Sequence, residues 1–200
     1  MKISIVCPIY TMKDRLAEKF LVDYCSQFFY QSHRDFELVF SDQSEGDNLK
    51  QIVDTFKHVY DITYVKNTSG INNAANNVNH AIPHAKGDIV KLLYMDDFFI
   101  DSNALQKINY AFSNHPGKWL IAGFGHCNQD RTKFWDFRKP WYGNKYVNGD
   151  NTTGNPSNSL STSKQSPLII LITHPSIIYS KMIVELLLKV SYPIFYHYAR

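Results

Sequence analysis

The sequence has few cysteines, little net charge and no long apolar run, and each shortage removes a class of protein. Its three cysteines, Cys7, Cys25 and Cys127, have no metal-ligand spacing and cannot all pair with one another. That excludes a disulfide scaffold or a zinc knuckle and points to free thiols in a reducing compartment. Against 18 acidic residues stand 21 Lys and Arg, a formal charge of +3, with no basic stripe. Nucleic acid is therefore not an expected partner. Nowhere do about 18 apolar residues run together, so no transmembrane helix is predicted. The start, Met1-Lys2 and then a β-like run, does not resemble a signal peptide. The expected location is cytoplasmic, with a peripheral position at the inner face of a membrane left open. Only 9 of 200 residues are glycine, and none forms the Gly-rich loop of dinucleotide binders or P-loop enzymes after the first strand.

Hydrophobic residues at 44% and charged residues at 20% are ordinary for a globular chain, and 200 residues suffice for one α/β domain. Ile3 to Cys7 reads as a buried strand closed by Pro8. Helical spacing follows over residues 13–31, a strand over 36–40, a helix over 49–59 and a strand over 62–65. Residues 70–85 read as a helix with a polar start, and 88–95 as a strand. A helix over 102–114 and a strand over 119–125 complete the regular part. Residues 130–166 are rich in Asn, Gly, Ser, Thr and aromatics with little periodicity, the mark of a functional loop or a partly disordered one. Strand–helix alternation predicts parallel strands with helices on both faces, and a binding site at the carboxyl edge of the sheet.

Polar residues gather where that edge should be. Asp96 and Asp97 end an apolar strand, and two adjacent carboxylates repel unless hydrogen bonds or a cation such as Mg²⁺ or Mn²⁺ compensate. A turn with one acid capping the next helix is the alternative. Asp42, beside Ser41 and Ser44, can accept from a nucleobase imide N–H or simply form a turn. Asn72, Asn73, Asn76 and Asn77 crowd the start of a helix, although Asn is a mediocre helix former. Capping accounts for one or two; the others could reach phosphates or sugar hydroxyls. His126 follows a predicted strand as a metal or phosphate candidate, with a structural role as the plainer reading. Lys133, Arg138, Lys139 and Lys145 form a mild basic cluster that reads as a solvated face or a phosphate contact.

Taken in order, these segments resemble family 2 of the inverting glycosyltransferases, of GT-A fold, over roughly residues 2–160. Ile3-Ser4-Ile5-Val6-Cys7-Pro8-Ile9-Tyr10 is similar to that family's first strand and Pro-x-Tyr turn. Phe36 to Ser44 resembles its second strand and Asp-rich turn. Gly70 with Asn76, then Ala85-Lys86-Gly87-Asp88, resembles the approach to the metal strand. Leu92-Leu93-Tyr94-Met95-Asp96-Asp97 occupies the place of the Asp-x-Asp motif. The resemblance implies a GT-A, Rossmann-like, mainly parallel α/β domain with an irregular C-terminal region. Residues 1–100 would be the nucleotide-sugar-binding half and 101–200 the acceptor half. Pro8, Tyr10, Asp42, Asn76, Tyr94 and Met95 would bind the donor, a nucleoside-diphosphate sugar that is commonly UDP-linked. Asp96 and Asp97 would hold a divalent metal, Mn²⁺ or Mg²⁺. The acceptor would be a glycan or a lipid-linked sugar, as in polysaccharide biosynthesis.

Two departures from the pattern stand out. Tyr94 replaces the first Asp of the motif, and after about residue 160 the expected acidic motif with the catalytic base is missing. Glu185, in an amphipathic segment, Asp130 and Asp136 are the remaining carboxylate candidates. A shifted reading frame near residue 160 is one expectation this raises. A catalytically inactive sugar-nucleotide-binding remnant is the second functional reading. A sugar-phosphate nucleotidyltransferase is the third, and it lacks the Gly-rich signature such a protein would need.

Overall fold

The computed structural model describes residues 1–114, 119–122, 124–128, 131–138 and 177–180. β1 (Ile3–Ile9) leads to α1 (Leu16–Gln27), β2 (Phe36–Asp42), α2 (Asn48–Phe56) and β3 (Ile62–Lys66). After α3 (Ala74–Ala81) come β4 (Ile89–Leu92), α4 (Ala104–Asn114) and the short strand β5 (Trp119–Ile121). A separate antiparallel pair, β6 (Phe124–Cys127) and β7 (Phe134–Arg138), precedes β8 (Ile177–Ser180). The main sheet runs β3-β2-β1-β4-β8-β5. Strands β1 to β4 are parallel, and β8 is antiparallel to both its neighbours. Because the chain moves outward from β1 to β3 and then returns to β4 on the other side, the order reverses between β1 and β4. Open parallel sheets bind ligands at such a switch point.

Alternation along β1 builds both cores. Ile3, Ile5, Cys7 and Ile9 pack with Leu21, Tyr24 and Phe28 of the α1 region, Leu49 and Val53 of α2, and Leu105 and Ile108 of α4. Val6 turns the other way, joining Val39, Val90 and Ala81 of α3. Tyr24, Phe28, Phe36, Phe40 and Tyr60 interlock mostly edge-on, which suits their ring quadrupoles.

Several predicted boundaries shift, each for a physical reason. β1 continues through Pro8 to Ile9. The β4 side of β1 accepts at Val6 and the β2 side at Ile9, so alternation turns Pro8 toward β4, where pairing has already ended. Its missing N–H therefore costs no ladder bond. The first helix starts three residues late, because Asp14 and Arg15 have left-handed backbone angles, with φ of 57° and 55°. α3 is shorter than residues 70–85 because the Asn73 side chain caps it at Asn76 N–H and Pro83 forbids its continuation. The predicted 119–125 strand divides between two sheets. In the region predicted to be irregular, β8 inserts between β4 and β5.

The amino edge of the sheet is pinned by the buried Glu37. Its Oε1 accepts from Ser4 Oγ at 2.6 Å and from the Lys86 and Gly87 amides. Gly87 N–H also donates to Ser4 Oγ at 2.8 Å. A Cβ on Gly87 would lie 2.7 Å from Lys2 O and 2.8 Å from Ser4 N. Both obstacles are backbone, so the strand would have to shift. Gly87→Ala is expected to destabilise by about 1–3 kcal/mol, read from the denaturant midpoint.

Candidate active site

At the carboxyl edge, the ends of β1, β2 and β3 are knitted by backbone and side-chain hydrogen bonds. Gln43 N–H donates to Ile9 O at 3.1 Å, and Thr11 N–H to Ser44 Oγ at 2.8 Å. Pro8 and Ile9 close β1, leaving Tyr10 exposed at 44% above them.

Asp42, the last residue of β2, is fully buried. Its Oδ1 accepts from Ser44 N–H at 2.7 Å, an Asx turn closing the loop. Its Oδ2 accepts from Tyr64 Oη at 2.5 Å and Lys66 Nζ at 3.2 Å. Tyr64 and Lys66 are on β3, in register with Phe40 and Asp42, so the ladder delivers both partners. Burial and the Asp42 bond push the Tyr64 hydroxyl well above its ordinary pKa, so it stays protonated as a donor. Tyr64→Phe removes one of the donors to this buried carboxylate and is expected to cost about 1–2 kcal/mol, measured by thermal unfolding.

The four asparagines divide by role. Asn73 caps α3, and Asn72 is exposed. Asn76 Oδ1 accepts from Asn67 Nδ2 at 3.0 Å and Ser69 Oγ at 2.7 Å, tying the β3 loop to the helix. Asn77 is buried and bonds inward.

At the end of β4 the chain turns through Tyr94 and the buried Met95 to Asp96 and Asp97. Asp97 N–H donates to Tyr94 O at 3.0 Å. Asp96 is exposed and Asp97 half-buried. Burial, with Asp96 next door, raises the Asp97 carboxyl to about 7, opposed by Lys91 and the Tyr94 amide. Lys91 is a buried lysine of β4 that the sequence reading passed over; burial lowers it to about 8. Gln27, also missed, brackets the turn: its Nε2 donates to Asp97 O at 3.4 Å and its Oε1 accepts from Phe99 N–H at 2.8 Å.

The β6–β7 pair adjoins this turn through Phe98 and Phe134, whose ring centroids lie 6.3 Å apart. Arg131 stands over Phe98 at 4.4 Å. His126 and Asp136 come together on it, Nε2 to Oδ2 at 3.7 Å, both partly exposed. Lys133 is exposed on the same pair, and Arg138 closes β7. Asp130, Lys139, Lys145 and Glu185 lie outside the described residues.

Oxygen donors at Asp96 and Asp97 suit a hard cation such as Mg²⁺ or Mn²⁺. Among the described residues no group of three His, Cys, Asp or Glu could hold a metal ion. Two carboxylates suit an ion whose remaining ligands are water and substrate phosphate, as Mg²⁺ sites commonly are.

Comparison with known proteins bears on the family and the fold. The pattern of Glycosyl transferase family 2 matches residues 4–185. The chain belongs to this family. The match runs beyond residue 160, where the resemblance was no longer legible, and takes in β8. No curated protein matches the chain. The structure of S. aureus TarS 1-349 in complex with UDP is similar at a TM-score of 0.63 and 20% identity, over 92% of this chain and 48% of that one. The same fragment with UDP-GlcNAc gives 0.61 and 18%, over 92% and 47%. The mannosyltransferase PcManGT from Pyrobaculum calidifontis, with GDP-Man and Mn²⁺, gives 0.51 and 18%, over 60% and 34%. At these identities the likeness is one of fold, the mainly parallel GT-A sheet. This family 2 chain spans about half the length of the TarS fragment.

Proposed function

We propose that this family 2 protein transfers a sugar from a nucleoside-diphosphate sugar, UDP-linked, to a hydroxyl of a glycan or lipid-linked acceptor, with inversion. The observation that carries this reading is the placement of Asp42 and the Asp96–Asp97 pair on one carboxyl edge, at the ends of the two strands flanking β1. Asp42 Oδ1 accepts only from Ser44 among the described residues and keeps a lone pair, but the side chain is fully buried, so an imide N–H of the base meets it only once the turn covering it opens. Tyr10, exposed beside it, offers a ring for the base to pack on, and Pro8 backs the pocket wall. Asn76 holds the β3 loop against the donor, while Tyr94 and Met95 shape the turn under the diphosphate. Asp96 and Asp97 would hold Mn²⁺ or Mg²⁺, whose chemistry there is to neutralise charge developing on the leaving diphosphate. A carboxylate takes the acceptor proton as the hydroxyl attacks the anomeric carbon from the opposite face. Asp130, Asp136 and Glu185 remain the candidates for that base.

Location follows the same reading. No described helix is long and apolar enough to cross a membrane, and all three cysteines are free thiols. A cytoplasmic protein drawing on a cytoplasmic donor pool is the inference. Calorimetric titration of UDP and a UDP-sugar panel, with and without Mn²⁺, tests the donor half. Release of UDP in the presence of acceptor tests turnover. Binding without turnover would establish the sugar-nucleotide-binding remnant instead, and absence of any nucleoside-diphosphate binding would overturn both readings.

A further inference from the structure

We propose that Asn77 is a positioning residue for the nucleotide pocket: one buried amide that sets the ends of β1, β2 and β3 relative to one another. The inference rests on reading that edge as the nucleotide site.

Asn77 is 1% exposed, and both polar atoms of its amide are engaged by protein partners. Its Nδ2 donates to Ile9 O, the last residue of β1, at 3.0 Å. Its Oδ1 accepts from Ser41 Oγ at 2.5 Å, one residue before the end of β2, and from Asn67 Nδ2 at 3.3 Å, just past β3. Ile9 O can only accept, and this sets the orientation of the amide. The Ser41 hydroxyl then gives its single proton to Asn77. Its contact with His80 Nδ1 at 2.9 Å is therefore one in which the imidazole donates. Asn77 and His80 both lie on α3, so one helix face grips all three strand ends from the side opposite α1 and α2.

Each strand end gripped this way carries or adjoins a site residue. Ile9 precedes Tyr10, Ser41 precedes Asp42, and Asn67 donates to Asn76. Asn is a poor choice in a helix interior on propensity alone, and its buried amide is costly unless every polar atom is satisfied. Here it is satisfied only when the three ends are in place. A change at Asn77 is thereby transmitted to Tyr10 and Asp42 without touching either.

Asn77→Asp is the sharpest test. It keeps the shape and the acceptor for Ser41 and Asn67, but turns a carboxylate or its proton, in place of an amide N–H, toward Ile9 O. Ser41→Ala is a gentler second variant, which decides the matter if Asn77→Asp does not fold. Ser4→Ala is the control for general destabilisation, since it cuts the Glu37 network at the opposite edge. Two readouts are needed: amide hydrogen exchange at Thr11, Gln43 and Asn67, and calorimetric titration of UDP, both well below the unfolding temperature. In the two site-edge variants, exchange at these amides and the UDP dissociation constant are each expected to rise about tenfold. Ser4→Ala should leave both near wild type. Unchanged exchange at the three amides overturns the proposal whatever UDP does. Raised exchange with intact UDP affinity overturns it as well. Absence of UDP binding by the unaltered protein would sink the nucleotide reading and this role with it, a failure visible before any substitution is made.

Discussion

Replacing Asp96 by alanine is expected to abolish the Mn²⁺-dependent part of UDP binding, lowering affinity by on the order of 100-fold. The fold should be untouched. Asp96 is exposed at the end of β4, and its loss removes a like charge from beside Asp97 rather than a structural bond. Unfolding midpoints close to wild type are therefore part of the expectation. Asp97 is the contrasting member of the pair, half-buried and joined to the Tyr94 amide at 3.4 Å, so its substitution would confound binding with local structure. Calorimetry with and without Mn²⁺ reads the effect directly. An Asp96→Ala protein that binds UDP as tightly as wild type, with the same metal dependence, would remove these acids from the donor site. If the pair holds the metal and Tyr94 stands in the place of a first aspartate, as the resemblance implies, Asp96 would carry more of the ligation and its removal would leave little.

Asp42→Ala should damage both stability and binding. Ser44 N–H and Tyr64 Oη lose their acceptor and Lys66 its ion-pair partner, around a carboxylate that is itself fully buried. Lys66 is partly exposed and can turn to water, so the expected cost is about 3 kcal/mol rather than the larger penalty of a sealed ion pair. Asp42→Asn separates the two effects. It keeps an oxygen for one donor and much of the stability, but places an amide N–H₂ near Lys66 and removes the charge that an imide N–H would meet. Losing a hydrogen bond to a charged acceptor predicts roughly 10- to 100-fold weaker UDP binding. Cytidine diphosphate, whose ring nitrogen accepts instead of donating, should bind weakly to wild type and be penalised less by the asparagine variant. Equal UDP affinity in wild type and Asp42→Asn would take the base away from this residue.

Much of the fold over the first hundred residues was legible because its signals are local. Apolar runs of β-branched residues alternate with helical spacing over the first hundred residues, and such an order admits little besides a parallel sheet. Asp42, Asp96 and Asp97 stand out for the same reason: each is an acid that ends an apolar run, Asp42 as the last residue of β2 and the pair in the turn after β4. The residues that were missed lack any local mark. Gln27 is one of several polar residues on α1 until the fold brings it against Asp97 and Phe99, 70 or more positions away. Lys91 interrupts an apolar strand like any edge lysine, whereas the sheet places it beneath the acid turn. Asn77 is indistinguishable in sequence from Asn76 and Asn72. Their places relative to the helix separate them: Asn72 precedes the cap and is exposed, while within α3 Asn76 meets the β3 loop and Asn77 the strand ends.

The C-terminal part shows the opposite balance. Short segments without periodicity gave no hint that Ile177–Ser180 would enter the sheet antiparallel between β4 and β5, because a four-residue strand is defined by its neighbours and not by its own pattern. The class of fold, the succession of the first four strands along the chain, and the acids that end β2 and follow β4 were legible in the sequence, since these follow from period, polarity and turn chemistry within a few residues. Only the tertiary structure decided which side chains meet across that edge, because hydrogen bonds between residues dozens of positions apart depend on register and helix placement, which no local pattern encodes.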